Sequence, residues 1–169
     1  MFNSKTIVYT SGTFDMFHYN HLRMINYARS LADILIVGVS TDELVSSYKE
    51  KPIIPFIERL QIIEALKTPD IVIPQHSLDH TEVMKKLNID AFVVGDDWFG
   101  KYDYLKDINV QVFYFPYGTG VSSSSLKKTI YDSYEKYLLK ERNAKPVKIV
   151  APNVNVVDTK TVSGMRNQK

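Results

Sequence analysis

The amino-acid sequence predicts an α/β domain: a doubly wound, five-stranded parallel sheet with helices on both faces. Five short β-rich runs, at 6–9, 34–39, 71–74, 91–95 and 110–115, are near-continuous apolar segments, as parallel strands covered on both faces require. The segments between them carry helical periodicity, and strands alternating with helices imply βαβ units. Every distinctive polar cluster falls just after a strand. Right-handed crossovers place the ligand crevice of such a sheet there, near its switch point.

The elements follow in order. The first run leads into Thr10-Ser11-Gly12-Thr13-Phe14-Asp15-Met16-Phe17-His18-Tyr19-Asn20-His21, and a helix begins near Asn20, lined by Leu22, Ile25, Ala28 and Leu31. Asp33 precedes the second strand, and Thr41-Asp42-Glu43 then reads as a helix start with acids in its first turn. Phe56, Leu60, Ile63 and Leu66 stripe a third helix, which Thr68-Pro69 stops. A shorter helix spans 81–87, and a last one runs from Ser123 toward Lys140. Beyond Arg142 the helical pattern ends, with Pro146, Pro152 and several Asn. The sequence therefore divides into a domain, 1–142, and a C-terminal arm, 143–169. The arm's Val147, Ile149, Val150, Val154, Val156 and Val157 predict that Lys145 to Val157 lies extended along the body or a partner subunit.

Composition bounds the function. The chain has 169 residues, 44% apolar and 24% charged, and no cysteine, so disulfides and thiolate chemistry are excluded and a cytoplasmic setting is expected. No run is long enough to span a membrane, and no signal peptide is read at the N-terminus. Net charge is +2, but from Lys136 onward eight Lys and Arg face two acids, leaving a negative body. A basic end could touch nucleic acid or anionic lipid, or simply be solvated, and nothing in the body suggests nucleic-acid binding.

Three clusters carry chemistry. The strand–turn–helix at 10–21 brings small residues and unpaired N–H groups to a helix entrance, which favours phosphate. His18 and His21, at i and i+3, share a face there. A plain turn and helix-end histidines are the simpler reading, and a metal pair lacks a third ligand of suitable spacing. Gly118-Thr119-Gly120-Val121-Ser122-Ser123-Ser124-Ser125-Leu126-Lys127 offers hydroxyls and N–H groups to a triphosphate, or merely caps the last helix. Gly95-Asp96-Asp97-Trp98-Phe99-Gly100-Lys101 either caps a turn or lines a small-ligand site.

Together these strings resemble the cytidylyltransferase-like nucleotidyltransferases, whose fold is Rossmann-like. Gly12-Thr13-Phe14-Asp15, His18 and His21 match the signature GTFD-x-x-H-x-G-H, with Asn20 in place of the second glycine. Residues 120–124 match the second signature, R-T-x-G-I-S-T/S-T/S, with Tyr117 where the arginine stands. The run 95–101 resembles the G-D-D-W-x-G-K of the glycerol-3-phosphate cytidylyltransferases within that family, and Glu58-Arg59 matches its E-R pair. The resemblance covers residues 7–128.

The resemblance implies transfer of CMP from CTP to a small phosphorylated alcohol, with glycerol 3-phosphate leading, in cell-surface polysaccharide biosynthesis. His18 and His21, with Lys49 or Lys51 and Arg59, would neutralise the reacting phosphates. Ser11, Gly12, Thr13, Phe14, Asp15, Asn20, Asp96, Tyr117, Gly120, Val121, Ser122, Ser123 and Ser124 would bind the nucleotide; Asp42, Asp97, Trp98 and Lys101 would bind the acceptor. Mg²⁺ is expected with the triphosphate, no protein-bound metal otherwise, and a homodimer. Either Asn20 donates a hydrogen bond to the nucleotide or the nucleotide sits differently. Other pairings (CTP with a phosphorylated amino alcohol, ATP with a sugar 1-phosphate) and a catalytically weak nucleotide-binding protein are the alternatives.

Overall fold

The computed structural model describes residues 5–118 and 120–143; residues 1–4, Thr119 and the arm beyond Asn143 lie outside the described residues. Five strands form one parallel sheet: β1 (Ile7–Gly12), β2 (Ile34–Ser40), β3 (Ile71–Gln75), β4 (Ala91–Gly95) and β5 (Gln111–Phe115). Their order is β3-β2-β1-β4-β5, all neighbours parallel. The chain winds one way from β1 through β3, then crosses to the other side of β1 and winds back. The crevice at such a reversal lies beyond the carboxyl ends of β1 and β4.

The strand residues alternate between two cores, as a period of two demands. Val8, Leu35, Val37, Val39, Ala91 and Val93 face one side, packed with Met24, Ile25 and Ala28 of α1 (Tyr19–Ser30) and Ile63 of α3 (Phe56–Glu64). Tyr9, Ile36, Phe92 and Val94 face the other, with Met84 of α4 (Thr81–Lys86) and with Tyr102 and Leu105. Helical packing on both faces explains the unbroken apolar runs. Gly38 is required within β2, because a Cβ there would overlap the Tyr9 hydroxyl.

The first strand runs longer than the sequence reading has it, and the fourth connection, for which that reading names no helix, carries none of α type. β1 extends to Gly12, because Thr10, Ser11 and Gly12 continue the ladder against Val37, Gly38 and Val39. Its polar end is held by pairing, which composition does not register. Between β4 and β5 the chain uses short 3-10 turns, Asp96–Trp98 and Asp103–Ile108, in place of a crossover α-helix. The short α2 (Asp42–Ser46) begins at Thr41, whose hydroxyl accepts from Leu44 N–H at 3.2 Å.

The last helix, α5 (Ser123–Asn143), is capped by Ser122. Its Oγ accepts from Ser125 N–H at 3.1 Å, and Ser125 Oγ accepts from Ser122 N–H at 2.8 Å, a reciprocal cap. The chain divides into two compact units at Asp132 and Ser133. In the second unit the described residues are the end of α5, with exposed Tyr134 and Tyr137 rings stacked 6.4 Å apart. Among the described residues no helix is long and apolar enough to cross a membrane.

Candidate active site

A cavity of about 910 Å³ opens beyond the ends of β1 and β4. Of the residues expected to bind nucleotide, Ser11, Gly12, Thr13, Phe14, Asp15, Asn20, Asp96, Tyr117, Gly120, Val121, Ser122, Ser123 and Ser124 all line it. His18, His21, Lys49, Asp97 and Trp98 line it too. Residues more than a hundred positions apart converge because four strand ends share one edge of the sheet.

The loop after β1 is tightly bent. Phe14 and Met16 adopt left-handed backbone angles, φ 54° and 51°, which cost bulky L-residues about 1–3 kcal/mol each. Burial of the Phe14 ring over Gly12 holds the bend. It turns the Asp15 carboxylate away from solvent, onto the N–H groups of Ile53 (3.1 Å) and Ile54 (3.0 Å). Desolvation raises the Asp15 pKa, but those bonds and Lys127, at 3.2 Å, outweigh it and hold the carboxyl below its ordinary value.

His18 caps α1 and His21 sits one turn in; their rings stack with centroids 3.7 Å apart. His21 Nδ1 accepts the His18 N–H at 3.4 Å. The neutral His21 therefore carries its proton on Nε2, as a donor. Burial, with smaller contributions from His18 and Lys49, pushes the His21 pKa down to about 3, and burial also lowers that of His18. Both shifts favour the uncharged imidazole in the ligand-free protein. Lys49, beside the Tyr48 ring, is also lowered by desolvation.

The opposite wall is carboxylate and aromatic. Desolvation, reinforced by Asp96, raises the Asp97 carboxyl. Gly95 is needed there, because the Tyr117 ring and the Asp97 carboxylate occupy the space of a Cβ. Tyr117, standing where the family signature has arginine, is anchored by its hydroxyl to Met24 Sδ at 3.2 Å, and burial pushes its phenol pKa up. It shapes the wall without supplying charge.

Four expected site residues stand elsewhere. Arg59 is fully buried beneath the cavity floor: Nε donates to Ile54 O at 2.9 Å, Nη1 to the carbonyls of Thr13 and Ser40, and Nη2 to Asp42 at 2.7 Å. Its guanidinium clamps three backbone segments and lies away from the cavity lining, because loop carbonyls collected by the fold have no other partner. Asp42 is the counter-charge of that clamp, accepts Phe56 N–H at 3.2 Å and does not line the cavity. Lys51 does not line the cavity, which leaves Lys49 as the loop's cation. Lys101 lies 4.8 Å over the Trp98 ring and borders a shallow recess with Asp79, Thr81 and Tyr104.

Asn20 also has partners within the protein. Its Nδ2 donates to the Val121 carbonyl at 2.9 Å and its Oδ1 accepts from Arg23 at 3.2 Å. Arg23 also donates to the Tyr117 carbonyl at 3.4 Å, so this pair ties α1 to the β5–α5 loop. Lys127, Tyr48, Ser40 and Gln75, to which the sequence reading gave no site role, line the cavity as well. Lys127 was legible as the residue one turn beyond Ser123 on the same helical face. The Ser40–Gln75 hydrogen bond, 2.8 Å between adjacent strand ends, was not.

The family model described as cytidylyltransferase-like matches residues 9–129. A glycerol-3-phosphate cytidylyltransferase of Bacillus spizizenii is 40% identical over 122 residues, 72% of this chain and 94% of that protein. A protein of the same name from Staphylococcus aureus is 35% identical over 125 residues, 73% and 94% of the two chains. The crystal structure of a lipopolysaccharide core biosynthesis protein from Thermoplasma volcanium shares the fold, with TM-score 0.56, 24% identity and coverage of 67% of this chain and 96% of that one. With its signature residues gathered around one crevice, the chain belongs to the cytidylyltransferase-like family of nucleotidyltransferases.

Proposed function

We propose that the protein transfers CMP from CTP to glycerol 3-phosphate, giving CDP-glycerol and pyrophosphate. The observation that carries this reading is the stacked His18–His21 pair at the mouth of α1, facing a cavity whose other edge is the capped start of α5. An oxygen of the acceptor phosphate forms a bond to the α-phosphorus. The bond from that phosphorus to the bridging oxygen breaks, and pyrophosphate leaves with the electron pair. No protein nucleophile is needed, because the acceptor is already an anion. The protein orients two anions and stabilises charge developing between them.

In this reading the His21 Nε2–H and the His18 ring donate to the α-phosphate region, where uncharged donors add no desolvation cost of their own charge. Lys49 neutralises the reacting phosphates. Trp98 and Asp97 meet the glycerol hydroxyls, the indole with its face and the carboxylate as acceptor. Mg²⁺, arriving with the triphosphate, would neutralise part of its charge. Asp96, on the same wall, would face that ion across the phosphates. A homodimer and a cytoplasmic role in cell-surface polysaccharide synthesis belong to the same reading and rest on the family resemblance.

The test is a turnover matrix of nucleotides against phosphorylated acceptors, following pyrophosphate release and the CDP-linked product. CTP with glycerol 3-phosphate should turn over fastest. Preference for a phosphorylated amino alcohol or a sugar 1-phosphate would reassign the acceptor, and no turnover with any pair would overturn the reading.

A further inference from the structure

Among the described residues, the full positive charges lining the cavity are Lys49 and Lys127. Arg59 is committed beneath the floor, and Asp15, Glu50, Asp96 and Asp97 face the same space. A nucleoside triphosphate adds several further negative charges, so each available cation matters. Lys49 stands on the loop after α2. Lys127 is the cation on the α5 side, one turn beyond Ser123, where Ser122, Ser123 and Ser124 border the cavity.

In this structure the Lys127 ammonium is 3.2 Å from Asp15 Oδ2, with its side chain 32% exposed and that of Asp15 5% exposed. The pairing is not needed to satisfy Asp15. Its carboxylate also accepts two backbone N–H groups, Ile53 at 3.1 Å and Ile54 at 3.0 Å. Nor is it needed to fix α5, since Ser123 Oγ donates to the Asp15 carbonyl at 2.6 Å and Ser122 and Ser125 cap the helix. An ammonium on a flexible stem, partly in water, beside a carboxylate that keeps two other donors, is free to exchange counter-ions.

We propose that Lys127 is a phosphate-contacting residue, exchanging its ion pair with Asp15 for oxygens of the nucleotide's triphosphate. The inference rests on the reading of this cavity as a nucleotide site. Asp15 parks the ammonium at the cavity edge while the site is empty, which offsets the unfavourable approach of an anion to four carboxylates. When the phosphates arrive, Lys127 moves to them, and Asp15 keeps the loop at Ile53 and Ile54.

The experiment is titration calorimetry of wild type, Lys127→Gln, Lys127→Met and Lys127→Arg with CTP, CMP and inorganic pyrophosphate, alongside thermal melts. Loss of one charge-assisted contact predicts that the Gln and Met variants bind CTP and pyrophosphate about 10–100-fold more weakly. CMP affinity should stay within about twofold, melting should be nearly unchanged, and Arg should recover most of the binding. Equal pyrophosphate affinity in wild type and variants would overturn the proposal, as would an equal loss for CMP and CTP, which marks a purely structural tie. Failure of wild type to bind CTP or pyrophosphate would overturn it as well. Pyrophosphate binding needs no transfer reaction. Lys127-dependent binding without turnover would thus sink the proposed activity and keep Lys127, and turnover with Lys127-independent binding would do the reverse.

Discussion

Arg59 Nη2 lies 2.7 Å from Asp42 Oδ1, with the arginine side chain wholly buried and the aspartate 21% exposed. Desolvation raises the Asp42 carboxyl, yet the bonds from Arg59 and Phe56 N–H prevail and hold it below its usual range. The pair joins the start of α2 to α3, and the same guanidinium collects carbonyls from the β1 and β2 loops. It therefore braces the loops around the cavity from beneath, outside the lining.

Removing that clamp should act on folding first. Arg59→Ala should cost about 3–5 kcal/mol, because it strands a partly buried carboxylate and leaves carbonyls unpaired. Chemical denaturation checks it. If Arg59 contacted phosphate directly, the variant would keep its stability and lose kcat; that outcome would restore the expectation drawn from the E-R pair.

The histidines should behave in the opposite way. His18→Ala and His21→Ala should each lower kcat by about 10²–10³, the loss typical of a single preorganised donor. The His18 N–H accepted by His21 lies at a helix end where water can replace it, so melting temperatures should move little. Steady-state kinetics with melts of the same preparations decide it, and unchanged kcat would remove that histidine from the chemistry.

Gly38 and Tyr9 should be energetically coupled. Gly38→Ala should destabilise by about 1–3 kcal/mol through overpacking, since the Tyr9 hydroxyl fills the position of the new methyl. Tyr9→Phe removes that oxygen, so the double variant should be more stable than additivity predicts. A denaturation cycle over the four proteins measures the coupling; additivity would mean that the clash relaxes elsewhere.

Acid should destabilise the protein partly through histidine. His80, 1% exposed among Tyr9, Phe92 and Tyr102, is lowered by burial from 6.5 to about 4, and His21 to about 3. A depressed histidine makes the unfolded chain the stronger proton binder between these values and 6.5, so stability falls as pH drops through that window. Asp15 and Asp42, also depressed, add their loss at lower pH. Melting temperature should therefore decline from about pH 6.5 toward pH 4, and His80→Phe should flatten the upper part of the decline. An identical slope in that variant would show that His80 does not contribute.

The sequence by itself determined the architecture and the identity of the cavity wall. Continuous apolar runs separated by helical stripes leave a covered parallel sheet as the consistent packing, and polar clusters after strands must then meet at one edge. Local signatures also located His18, His21 and the serine cap of α5, because their geometry is set within a turn or two of chain. Only the tertiary structure decided what the long polar side chains do. Arg59 and Lys127 are both cations beside signature motifs in the sequence; the fold sealed one among backbone carbonyls and left the other at the cavity beside Asp15. Asn20 reaches a carbonyl 101 residues away, and Tyr117 packs on Gly95 across two strands. Such choices depend on which unpaired backbone groups the fold brings within 3 Å or so, and linear order does not encode that distance.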